Sequence, residues 1–120
     1  MDARQMLQVA VWLFAITALG GLAMAAIRFG SRHNPPAWLS MVHGLLAAAG
    51  LTLVLYAAFA SDVPGLARIG AGLLLVAAGG GALLNLAYQW KDRLLPASIV
   101  VVHALLAVIG FACIVFAAFG

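Results

Sequence analysis

Four long stretches of apolar residues, separated by three short polar turns, make up almost the whole chain. The first runs from about Gln5 to Ile27, and Arg28, Ser31, Arg32, His33 and Asn34 form the turn after it. Pro35-Pro36 opens the second, about Ala37 to Ala60, proline being tolerated in a first helical turn where no backbone donor is needed. Ser61-Asp62-Val63-Pro64-Gly65 separates it from the third, about Leu66 to Trp90. Lys91-Asp92-Arg93 and Pro96 lead into the fourth, which continues to the end. Each run is close to the roughly 20 residues a helix needs to cross hydrocarbon. Turns this short favour an up-down-up-down bundle. The pattern therefore predicts an all-α integral membrane four-helix bundle, a single transmembrane domain over residues 1–120.

The second half of the pattern repeats the first. Residues 36–60 and 96–120 are identical at eleven of twenty-five positions, including Pro36/Pro96, Val42/Val102, His43/His103, Leu45/Leu105, Leu46/Leu106, Ala47/Ala107 and Gly50/Gly110. The halves before them still agree at Leu13/Leu73, Ala18/Ala78, Gly20/Gly80 and Gly21/Gly81. Apolar sequence inflates such matches, but a histidine and a proline sharing one offset point to a duplicated helical hairpin, residues 1–60 and 61–120. A unit with two crossings keeps its orientation when copied, so the hairpins are expected to be parallel, related by an axis along the membrane normal. His43 and His103 then lie level, on the same side. His43 is five residues past the interfacial anchor Trp38, or about 7–8 Å deeper at about 1.5 Å per residue.

Composition sharpens this reading. Hydrophobic residues make up 67% of the chain and charged ones only 8%, too little polar surface to cover a water-soluble particle. The first run begins with Asp2 rather than a basic cluster and exceeds the about 7–15 residues of a signal h-region. Despite the small residues at Leu22-Ala23-Met24-Ala25, it reads as a retained helix. The net charge of +3 is scattered over run ends, which argues against nucleic acid as a partner. Cys113 is the one cysteine, so no intramolecular disulfide can form. The turns holding Arg28, Arg32, Lys91 and Arg93 carry more positive charge than the opposite face with Arg4 and Arg68. The positive-inside bias puts those turns in the cytoplasm and both termini on the other side.

Candidate chemistry centres on the histidine pair, since ionisable groups inside a bilayer are costly and by default mark function. His43, Ala47, Gly50 and Ala57 share one helical stripe, matched by His103, Ala107, Gly110 and Ala117. Small residues line close helix seams, so both rings are expected to face protein. One reading is purely structural: each imidazole donates to a carbonyl or to a hydroxyl such as that of Thr17 or Thr52. The other is a metal centre, for which neutral imidazole suits iron, copper and zinc. Zinc wants four ligands, whereas haem iron needs two axial ones. Gly20, Gly21, Gly79, Gly80 and Gly81 could make room for a flat macrocycle, or allow close helix packing instead. Arg28 and the other basic residues of that side could meet haem propionates, or act only as topology signals. Asn85 and Gln89 share a face with Tyr88 nearby. Together they could line a quinone headgroup site or a wet end of the bundle; by default Gln89 is expected to snorkel to the interface and Asn85 to bond a neighbouring helix.

On the four spans and the two histidines, the chain resembles the small four-helix membrane b-type cytochromes of bacteria. The resemblance implies at most one haem b per chain, with His43 and His103 as axial metal ligands, in a bacterial inner membrane. It also implies electron exchange with quinone, oxygen species or another membrane redox protein. Two other classes stay open. One is a non-redox subunit or scaffold without cofactor, whose glycine-rich faces pack on a partner or in a homodimer. The other is a small metal transporter passing copper through His43, His103 and Met24.

Overall fold

The computed structural model describes all 120 residues and contains four long helices, α1 (Ala3–Ser31), α2 (Ala37–Ala60), α3 (Gly65–Leu83) and α4 (Ala97–Phe119). All four spans are long and apolar enough to cross a membrane, α3 counting with its irregular continuation to Lys91. This is the architecture of a membrane helical bundle.

The ends follow from local chemistry. Asp2 caps α1: its carboxylate accepts from the Gln5 backbone N–H at 2.8 Å, and the Gln5 side chain accepts from the Asp2 N–H at 2.9 Å. This reciprocal pair satisfies two donors that a helix start otherwise leaves open. The helix keeps its winding beyond Ile27, so Arg28 and Ser31 belong to its last turn rather than to the connection. Arg32, at φ 58°, ends it in the left-handed conformation, and Asp92, sixty residues on, ends the α3 segment in the same way at φ 53°. The Arg93 N–H then bonds back to the Tyr88 carbonyl at 2.8 Å, a closure that satisfies last-turn acceptors. Pro36 and Pro96 stand just outside α2 and α4, at the extended capping position rather than within the first turn.

α3 ends less regularly than α1. After Gly79-Gly80-Gly81, where the backbone is least committed to helix, the winding widens to a π turn over Leu84–Tyr88. It tightens to a 3₁₀ turn over Gln89–Lys91. α1 has no counterpart to this irregularity.

Each hairpin packs most intimately within itself, α1 on α2 and α3 on α4; α1 against α4 and α2 against α3 close the ring. The diagonals, α1/α3 and α2/α4, do not pack closely. Burial repeats with the sixty-residue offset. Leu7/Ala67, Ala10/Gly70, Val11/Ala71, Phe14/Leu74, Thr17/Ala77, Gly50/Gly110 and Val54/Ile114 are buried in both copies. Interlocking repeats too. The Phe14 ring lies against Gly50, where an added Cβ would come within 2.9 Å of it, and Leu74 lies against Gly110 at the same 2.9 Å. The connected apolar core, which includes Leu7, Phe14, Val54, Leu74 and Ile114, fills the half of the bundle that carries the two termini. Phe14 and Phe111 close its inner end, edge to face with ring centres 6.3 Å apart.

Candidate functional site

Beyond that aromatic pair, toward the basic turns, the bundle interior is occupied by the two histidines. His43 lies two turns into α2 and His103 two turns into α4, both half-buried. Their ring centres stand 6.3 Å apart across the α2/α4 diagonal, with the ring planes 66° to one another. Residues 41–50 and 101–110 have the same succession of buried, half-buried and exposed positions. The expectation of two level imidazoles facing protein therefore holds in the geometry.

Each ring is fixed by its hairpin partner helix. His43 Nδ1 lies 2.9 Å from the Thr17 carbonyl oxygen and His103 Nδ1 lies 2.6 Å from that of Ala77, residues again sixty apart. A carbonyl can only accept, so Nδ1 carries the hydrogen in both rings and the neutral tautomer leaves the Nε2 lone pair available. Neither Nε2 has a hydrogen-bond partner, and neither is sealed from its surroundings. The hydroxyls considered from sequence bond elsewhere, Thr17 to the Leu13 carbonyl and Thr52 to that of Ala48, each one turn back along its own helix.

The glycines serve the rings directly. A Cβ on Gly21 would come within 3.0 Å of His43 Cε1, and one on Gly81 within 3.1 Å of His103 Cε1; Gly20 and Gly80 border the same rings. The space these residues leave on α1 and α3 is thus taken by imidazole. Gly79 faces open space and belongs to no part of the site.

Arg28 lies at the histidine end but reaches across to the other hairpin, its Nε donating to the Leu95 carbonyl at 2.8 Å. Its guanidinium also lies 5.5 Å over the Phe29 ring. Gln89 does not snorkel. It donates to the Pro35 carbonyl at 2.9 Å and accepts from the Ser40 hydroxyl at 2.7 Å, so its amide is committed to the α2 entrance. Sequence reasoning missed Asn34. Its amide donates to the Arg93 carbonyl at 2.8 Å and accepts from the Leu95 N–H at 3.0 Å. The available signal was a side chain with both donor and acceptor beside a proline turn that lacks donors. Asn85, in the π turn, is half-buried and forms no side-chain hydrogen bond. His33 is exposed, bonded to the Ser31 carbonyl at 2.7 Å. Cys113 packs toward Gly70 in the core half, away from the histidines.

No group of three or more His, Cys, Asp or Glu side chains comes together anywhere in the chain. The pair can therefore supply two nitrogen donors and no more. Comparison with known proteins adds no assignment: no family model, curated protein or solved structure matches the chain.

Proposed function

We propose that the chain is a membrane-embedded b-type haem protein for electron transfer, with His43 on α2 and His103 on α4 as axial ligands. The observation that carries this reading is the disposition of the imidazoles. Two imidazoles on one metal, at about 2.0–2.1 Å per bond, place their ring centres about 6 Å apart. His43 and His103 stand at 6.3 Å. Ligating histidines characteristically donate their other ring N–H to a carbonyl, which fixes tautomer and orientation. Thr17 and Ala77 supply such carbonyls here. A centre limited to two protein donors suits haem iron, because the porphyrin completes the coordination. Bis-imidazole haem iron supplies a reversible one-electron couple. The chain's own contribution is to hold both rings and provide basic side chains at the rim. Arg28, whose terminal guanidinium nitrogens are not engaged, would pair with propionates. Quinone or a second membrane redox protein is the proposed electron partner, the basic turns are proposed to face the cytoplasm, and the membrane is proposed to be a bacterial inner membrane.

The packing also favours a second reading. Each imidazole already has a carbonyl partner and a glycine-lined seat within its own hairpin. A bundle stapled in this way is complete as a cofactor-free subunit. An oxidised and dithionite-reduced spectrum of protein expressed with ample haem separates the two. The haem reading expects sharp reduced b-type bands that disappear in both His43→Ala and His103→Ala and persist in His33→Ala. A colourless wild-type protein would end the haem reading, and stable co-purification with another membrane protein that survives His43→Ala and His103→Ala would support the scaffold reading.

A further inference from the structure

The duplication is broken at the termini end, where α2 passes α3. There a narrow cavity of about 270 Å³ opens between the helices, lined by Leu55, Ala58, Phe59, Gly72 and Leu75, with Arg68 at its mouth. A shallower depression on the far side of Leu55 and Phe59 is bordered by Thr52 and Tyr56. The first is below the about 300–1,000 Å³ of pockets that enclose compact ligands. It is lined mainly by apolar side chains and is partly open to the surroundings.

Arg68 is exposed and forms no ion pair. Its guanidinium makes only long bonds, to the Ala58 carbonyl at 3.4 Å and the Ser61 carbonyl at 3.5 Å. Tyr56, 61% exposed, offers a hydroxyl without a partner on the same surface. The sister seam between α4 and α1 is built otherwise. Gln8 stands sixty residues before Arg68 and makes the corresponding bond, to the Ala118 carbonyl at 3.4 Å, without a charge. Trp12 stands where the second repeat has Gly72, and Phe116 where the first has Tyr56. One seam therefore combines a cation, a hydroxyl and an open apolar channel. Its copy has lost the charge and the hydroxyl, and an indole stands at the channel position.

We propose that the α2/α3 seam is a binding site for one anionic phospholipid. An acyl chain lies along Gly72 and Leu75, and the phosphate is held by Arg68. A guanidinium with free donors matches phosphate in charge and in fork geometry. The flanking depression receives the second chain. This site is separate from the histidine pair and does not depend on any haem being bound.

The test uses the whole protein in nanodiscs of equal phosphatidylglycerol and phosphatidylcholine, transferred to mild detergent and analysed by native mass spectrometry. The wild type should retain about one phosphatidylglycerol per chain. Arg68→Gln, which installs the sister repeat's residue, should lower that retention roughly tenfold, the weight of one charge-assisted hydrogen bond. Gly72→Trp should abolish retention of either lipid. The reciprocal double variant Gln8→Arg/Trp12→Gly should gain a second phosphatidylglycerol, which keeps the test decisive if Gly72→Trp fails to fold. Retention of both lipids in bulk proportion, an annular lipid only, overturns the proposal. So does wild-type retention that neither Arg68→Gln nor the double variant changes.

Discussion

Replacing Gly81 with alanine tests the histidine seat without reference to any cofactor. The added Cβ would lie 3.1 Å from His103 Cε1, against an ordinary contact of 3.4 Å or more, so the ring must retreat by about 0.3 Å. It has little freedom to do so, because Nδ1 is held 2.6 Å from the Ala77 carbonyl. The retreat stretches or tilts a hydrogen bond with a net worth of about 0.5–1.5 kcal/mol. Against this, alanine is better than glycine in a helix interior by about 0.8–1 kcal/mol. Gly81→Ala should therefore be close to neutral, between about 0.5 kcal/mol stabilising and about 0.7 kcal/mol destabilising. Gly79→Ala, two residues away on the same helix, meets open space and should show the full helix gain. The expected gap between the two variants is about 1 kcal/mol, set by the strained hydrogen bond. Reversible unfolding in mixed detergent micelles, followed by circular dichroism, measures it. A mimetic that keeps residual helix in the unfolded state reduces the propensity gain equally for both, so the gap survives. The decisive arm is a double-mutant cycle. In a His103→Ala background the ring is gone, and Gly81→Ala should become as favourable as Gly79→Ala. Equal effects of Gly81→Ala with and without the ring would refute the packing argument.

Other consequences are as direct. Asn34→Ala removes two hydrogen bonds between the hairpin connections and leaves the Leu95 N–H without its acceptor. A loss of about 1–3 kcal/mol is expected, with faster amide exchange at Leu95 as the local readout. Phe14→Ala empties the seat against Gly50 and removes the edge-to-face contact with Phe111. A cost of about 3–5 kcal/mol by the same unfolding assay is expected, whereas the exposed Phe59→Ala should be nearly silent. Asp2→Ala removes the cap of α1 and should cost about 1 kcal/mol, seen as fraying of the first turn in amide exchange.

The sequence alone determined the number of spans, their order and most of their limits. Uninterrupted apolar runs in a bilayer admit only helices, and proline and charge mark where such helices stop. Ala37–Ala60 follows directly from that rule. The repeat offset by itself places His43 and His103 at one level, because an even number of crossings preserves orientation. The partners of those rings were not legible. A backbone carbonyl leaves no trace in side-chain identity, so Thr17 stands out in the sequence for its hydroxyl, whereas its carbonyl is the oxygen that accepts from His43. The glycines were visible, but whether they admit a ligand, a helix or an imidazole depends on the rotation of α1 against α2, which only packing sets. The same holds for Gln89 and Asn34. Each is an ordinary amide near a helix end until tertiary structure brings a donor-free proline turn or an open N–H against it. Local pattern sets where the chain crosses and turns. Which lone pairs and cavities meet is decided by how two nearly identical hairpins dock, through the few positions at which they differ.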